Sequence, residues 1–162
     1  MGMSTRHIVR AGMIAAAYWV ITVFLAPISY GPVQLRISGA LYPLALLAPE
    51  YALGFAVGSF LANLQSPFGP WDFAVMPVVA FAACALVYKM RRWSLVALAL
   101  HCVIIAAGVA LFPLGIGASL PPLVTFPGVL LSQLIVVIGA YVVWRSAKWM
   151  GNSALSETGG RE

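Results

Sequence analysis

The stretch Ala40-Leu41-Tyr42-Pro43-Leu44-Ala45-Leu46-Leu47-Ala48-Pro49-Glu50-Tyr51-Ala52-Leu53-Gly54-Phe55-Ala56-Val57-Gly58-Ser59-Phe60-Leu61-Ala62-Asn63-Leu64 is apolar, yet broken by Pro43, Pro49 and Glu50. Wound as one helix it would extend about 37 Å, enough for a single membrane crossing. The charges around it argue for an even number. Arg6 and Arg10 precede the first apolar stretch, Lys89, Arg91 and Arg92 follow the segment 73–88, and Arg145 and Lys148 follow the last. Cytoplasmic flanks carry an excess of Lys and Arg, so all three groups belong on one side of the bilayer. The stretch 40–64 must then go in and come back. Proline suits a first helical position and disfavours helix for the residue before it, which puts the turn at Ala48-Pro49-Glu50. Two short helices, or a re-entrant pair, result.

The rest of the chain follows from composition. It has 162 residues, of which 62% are hydrophobic and 8% charged, against about 25% charged in an average soluble protein. Each span needs about 20 apolar residues, and 8–26, 93–112 and 123–144 supply them, with 73–88 slightly short. The expected fold is an all-α integral membrane protein of six transmembrane helices. Helices 2 and 3 are short and both termini are cytoplasmic. One membrane domain occupies 1–150, and a polar, disordered tail follows at 151–162. The first apolar stretch is longer than a signal-peptide core and lacks a small-x-small cleavage site, so it reads as a retained helix. The net charge of +5 encodes orientation, which makes a nucleic-acid partner improbable. Cys84 and Cys102 lie inside apolar stretches and read as buried hydrophobes.

Polar side chains beside a bilayer line a cavity, pair with one another or sit at the interface. On the outer side they are Ser29, Tyr30, Gln34, Arg36 and Ser38 in the first loop, with Asn63, Gln65, Ser66 and Asp72 around the second. Short helices 2 and 3 let these loops dip inward and leave a hollow, because non-helical backbone at that depth must line a cavity or be buried. Gln34 and Asn63 each offer a donor and an acceptor for the edge of a heterocycle, and Tyr30, Phe68, Trp71 and Phe126 offer aromatic faces. Blander roles stand beside these. Asn63 and Asp72 would serve as helix caps, Arg36 would pair with Asp72, and Trp71 would anchor at the interface. Within the membrane, His101 and Gln133 are candidates to face the bundle interior, His101 also reading as a packing residue. Ala11 and Ala15, with Gly12 and Ala16, form small-residue stripes that would let another helix approach, within the bundle or from a partner.

Several chemistries are disfavoured. The chain has no G-x-x-x-x-G-K-[ST] phosphate loop, no Ser-His-Asp set, no paired carboxylates and no His or carboxylate grouping at metal-ligand spacing. Enzyme chemistry, a resident metal and a cofactor are not expected.

The first loop, Ser29-Tyr30-Gly31-Pro32-Val33-Gln34-Leu35-Arg36-Ile37-Ser38 followed by Ala40-Leu41, resembles the signature of the queuosine-precursor transporter (QueT) family. Gly54-x-x-x-Gly58, Ala62-Asn63-Leu64 and Gly69-x-x-Asp72 continue it. These proteins are substrate-binding S components of energy-coupling-factor (ECF) transporters. The resemblance implies a six-helix fold in a prokaryotic cell membrane, with an outward pocket for a 7-deazaguanine precursor of queuosine. It also implies an ECF transmembrane subunit and two ATPase subunits as partners. Gln34, Arg36, Asn63 and Asp72 become pocket or gate residues and Ala11 and Ala15 a docking face, while Tyr30, His101 and Gln133 stand as binding candidates on their own chemistry. Gly39 departs from the family, which usually has Glu there. The alternatives are an S component for another vitamin or nucleobase, a membrane scaffold without a pocket, and a membrane enzyme.

Overall fold

Helix follows helix along the chain, and a single non-α segment in the first half sets the geometry of the rest. The computed structural model describes residues 3–30, 35–67, 69–111 and 122–158. In chain order these form α1 (Thr5–Phe24), the short α2 (Ala26–Ser29), a 3-10 helix (Ile37–Leu46) and α3 (Glu50–Asn63). Then come α4 (Pro70–Lys89), a 3-10 turn (Arg91–Trp93), α5 (Ser94–Leu111), α6 (Pro122–Gln133), a π-helical turn (Leu134–Ile138) and α7 (Gly139–Thr158). No strand occurs among the described residues.

Four stretches are long and apolar enough to cross a membrane: Thr5–Phe24, Asp72–Lys89, Arg91–Leu111 and Thr125–Lys148. Their outer faces are as greasy as their inner ones. Phe24, Val78, Leu131 and Val143 each leave more than half of their surface uncovered. Water would penalise so much open hydrocarbon, whereas lipid tails accept it. The fold is thus a helical bundle suited to a bilayer.

The chain breaks at Leu47–Pro49, where the prolines and Glu50 placed it, and Glu50 opens α3. The first member of the short pair differs from expectation in two ways. It begins at Ile37, and it is wound as a 3-10 helix. Such helices have three residues per turn, and Gly39, Tyr42 and Ala45 accordingly form one buried stripe, while Ile37 and Ala40 face outward. The winding also fixes length. Ten residues of 3-10 helix rise about 20 Å and the fourteen of α3 about 21 Å, so the two legs match. Both fall short of the roughly 30 Å hydrocarbon layer. At the other end of the chain, α7 runs to Thr158, into the segment expected to be a disordered tail.

Packing begins with α1 against α3. A Cβ added to Gly54 would lie 2.6 Å from the Ala11 carbonyl oxygen, and one added to Gly58 would lie 2.9 Å from that of Ala15. Ala11 and Ala15 are buried in this contact. The two helices therefore run parallel with their backbones nearly touching. Around them Tyr18, Tyr42, Phe55, Leu98 and Val137 form the main core, and Met76, Ala80, Ile105 and Val129 a second one between α4, α5 and α6.

Polar contacts sort to the two ends of the bundle. Where α1, α3 and α5 begin, Arg10 pairs with Glu50 at 3.4 Å, and the hydroxyls of Ser94 and Tyr141 lie 2.6 Å apart with Arg145 donating to Tyr141. At the opposite end lie Tyr30, Arg36, Asn63 and Asp72.

Because the atom that a new Cβ would strike is backbone, Gly58→Leu should lower the melting temperature of detergent-purified protein by an amount equivalent to about 1–3 kcal/mol or more. Gly12→Ala, at a position inside α1 with nothing within 4 Å of the added carbon, should not lower it and should raise it slightly through better helix propensity.

Candidate functional site

Four elements bring polar side chains together at the end of the bundle opposite Glu50. The short leg starts at Arg36, α3 ends at Asn63, and α4 opens through Gly69 and Pro70. Gly69 has φ 83°, a left-handed conformation that suits glycine, and Pro70 then occupies the first helical turn. Gly69 thus stands at the N-cap, and Asp72 lies inside the first turn of α4. The capping role considered for Asp72 is not the one it takes.

Asp72 instead faces Arg36. One Oδ2–Nη2 distance is 3.8 Å, an ion pair too long to be a hydrogen bond, and both side chains are almost covered. The Arg36 guanidinium also lies 5.6 Å from the centre of the Tyr30 ring, a cation–π distance. Burial works against charge on Arg36, but the adjacent Tyr18 and Asp72 outweigh it, and the guanidinium is held even more firmly protonated than usual. Burial pushes the Tyr30 phenol upward, with Arg36 pulling the other way. Tyr30 therefore remains a hydroxyl and donates to the Ala62 carbonyl. Asn63, the last residue of α3, donates through Nδ2 to Ser59 Oγ at 3.3 Å and to the Asp72 carbonyl at 3.2 Å. It ties α3 to α4 rather than closing its own helix. The Arg36–Asp72 pairing weighed from the sequence is present, and with Tyr30 and Asn63 it forms one clasp across the chain segments at this end.

The clasp is incompletely paired. Arg36 Nε and Nη2, Asp72 Oδ2, Asn63 Oδ1 and Ser29 Oγ are all buried without a hydrogen-bond partner. Arg36 Nη2 and Asp72 Oδ2 have only each other, at ion-pair distance, and an unpaired buried polar atom costs about 1–3 kcal/mol, so this end of the bundle is the candidate site.

Deeper in the bundle lie the other two candidates. His101 on α5 is fully buried, with its ring centre 4.1 Å from that of Tyr42. The Ala83 backbone is beside it, yet neither ring nitrogen has a partner of hydrogen-bonding geometry. Gln133 is 2% exposed, and its Oε1 is also unpaired. It ends α6 where the π-helical turn begins. The Gln133 amide reaches over Gly39, and Gly39 in turn lies against Tyr42. Tyr42 thus stands between the two deep candidates. Its hydroxyl donates to that of Tyr18 at 3.0 Å, and Tyr18 neighbours Arg36, so polar atoms continue from the clasp to the deep pair. The Thr22 and Ser38 hydroxyls, 2.7 Å apart, fasten α1 to the 3-10 helix alongside.

Gln34 and Phe68 lie outside the described residues, as does the segment 112–121. Ala11 and Ala15 do not form a free face: they pack against Gly54 and Gly58. The neighbouring Gly12 and Ala16 are exposed. Gly12 lines a shallow apolar groove of about 230 Å³ between α1 and α3, together with Ile8, Leu53 and Val57. No cluster of three or more metal-ligating side chains occurs among the described residues. The sequence reading missed Tyr18, Thr22 and Tyr42. The first two continue the buried stripe Ala11–Ile14–Ala15 of α1 at helical spacing, and a polar residue on such a stripe was the available signal.

Long apolar helices enclosing unpaired polar groups define a multi-pass membrane protein with an internal polar site. The family model described as QueT transporter matches residues 8–148, and the chain belongs to that family. That membership points to transport rather than catalysis. No curated protein and no solved structure matches the chain.

Removing one member of a buried ion pair leaves the other uncompensated. Arg36→Met should therefore destabilise the protein by about 3 kcal/mol or more in a thermal-melt assay, while the double variant Arg36→Met/Asp72→Leu should recover a large part of that loss. Equal melting of single and double variants would show the two side chains to be energetically independent.

Proposed function

We propose that this protein is the substrate-binding S component of an ECF-type importer in a prokaryotic cell membrane. Its substrate would be a 7-deazaguanine precursor of queuosine. Six crossings would put both termini in the cytoplasm, with the 3-10 helix and α3 as the short second and third. The observation that carries the reading is membership in a transporter family over residues 8–148, joined to a set of buried polar atoms that lack partners within the chain.

The mechanism follows from the elements involved. A heterocycle arriving from outside would meet Arg36, Asn63 and Asp72, with Tyr30 as an aromatic wall and Gln34 on the same loop. Its donors and acceptors would satisfy Asn63 Oδ1 and the free guanidinium nitrogens, which otherwise remain desolvated for no return. His101 and Gln133 would contact the inner side of the ligand. With no phosphate loop in the sequence, energy for release to the cytoplasm would come from a transmembrane subunit and two ATPase subunits. The apolar groove beside Gly12 is the surface offered to the transmembrane partner, since Ala11 and Ala15 form its floor and α1 connects it to the polar site.

Titration calorimetry of detergent-purified protein with a 7-deazaguanine should show saturable binding, weakened by about 1–3 kcal/mol in Asn63→Ala. Absence of heat across a panel of vitamins and nucleobases would favour a membrane scaffold instead. Gly12→Trp should abolish uptake by the assembled importer while leaving ligand binding intact. Uptake that survives the change would place the partner elsewhere.

A further inference from the structure

Gln133 is a buried neutral amide between α6 and the 3-10 helix, and three features of its setting point the same way. It is almost fully buried, and its carbonyl oxygen Oε1 has no partner. It is the last residue of α6 before the π turn Leu134–Ile138, and single π turns inside α-helices are frequent at functional sites. It faces a residue with no side chain. A Cβ added at Gly39 would stand 3.3 Å from Gln133 Oε1, 3.5 Å from Val136 Cγ1 and 3.6 Å from Tyr42 Cδ2.

We infer that Gln133 Oε1 accepts a hydrogen bond from the amino-pyrimidinone edge of the ligand, and that Gly39 sets specificity by leaving the space in which that amide stands. The inference rests on the deazaguanine reading above and assigns the group that reads the base. An amide oxygen accepts and carries no charge. It therefore selects a ligand presenting a neutral N–H, such as an exocyclic amino group, and it requires no counter-ion at a depth where charge is expensive. The Tyr42 ring, in contact with both the Gly39 position and His101, supplies an aromatic surface beside the amide. A side chain at position 39 would crowd the amide oxygen, which would have to shift by a few tenths of an ångström for a bare methyl and more for anything larger, so glycine there and glutamine at 133 work as a pair.

The test compares two ligands on four proteins. Calorimetry measures the affinity of purified, full-length protein for a 7-deazaguanine and for the matching 7-deazahypoxanthine, which lacks the 2-amino group. The native protein should prefer the first by at least about tenfold, since a site built around a hydrogen bond rejects an analogue that cannot make it. Gln133→Ala should bring the two affinities together, and Gly39→Ala should shrink the ratio by pushing the amide aside. Gln133→Glu keeps an acceptor and should keep the preference. A purely structural role for Gln133 would weaken both ligands alike and leave the ratio intact, so an unchanged ratio in Gln133→Ala overturns the inference while the transport reading stands. If that variant does not fold, the ratio in the native protein and in Gly39→Ala decides. Failure of the native protein to bind either ligand overturns the deazaguanine reading, and this assignment falls with it.

Discussion

Four helices of this chain are long enough to cross a hydrocarbon layer about 30 Å thick, whereas the two successive segments Ile37–Leu46 and Glu50–Asn63 each rise only about 20 Å. Every other feature of the polar site answers to that mismatch. Backbone that ends early inside a membrane must find protein around it. Here it finds Arg36, Asn63 and Asp72, with Tyr30 laid beside them. Tyr42 on the short 3-10 segment and Tyr18 on α1 carry hydroxyls into the core, where they bond to each other.

The bundle can hold such a site because its remaining contacts are rigid. Gly54 and Gly58 bring α3 against the backbone of α1 at distances that admit no side chain. Small residues at such interfaces substitute close packing for the hydrophobic effect, which does not operate between helices in lipid. One helix, α1, therefore carries the packing seam, the Tyr18 hydroxyl and the Thr22 contact with Ser38. The site and the seam share a single rod.

Much of this was legible in the sequence, and the reasons differ by residue. Hydropathy located the long helices, and Pro49 with Glu50 located the break, because proline acts locally on its own backbone. The pairing of Arg36 with Asp72 was legible because charges are scarce in this chain and two opposite ones flanked neighbouring outer segments. Winding was not legible. Residues 37–46 carry Pro43, which removes one α-helical hydrogen bond but does not by itself dictate ten residues of 3-10 winding, and the π turn after Gln133 leaves no residue signature. Asp72 was read as a cap because it is a good one, yet Gly69 and Pro70 start the helix earlier. The stripe Ala11–Ala15 was correctly seen as a contact surface with two candidate partners, and the glycines of α3 occupy it. Roles for Tyr30, Gln34, Arg36, Asn63, Asp72, His101 and Gln133 toward a ligand belong to solution experiments.

The three-residue repeat of the segment Ile37–Leu46 has a consequence for how this chain tolerates change. Each residue added or deleted between Arg36 and the bend at Leu47 would swing the guanidinium by about 120° and shift it by about 2 Å. One such step would carry it off the Tyr30 ring and away from the Asp72 carboxylate. The count of residues in that leg is thus as strictly constrained as their chemistry, and drift along this part of the chain should proceed by replacement and not by insertion or loss.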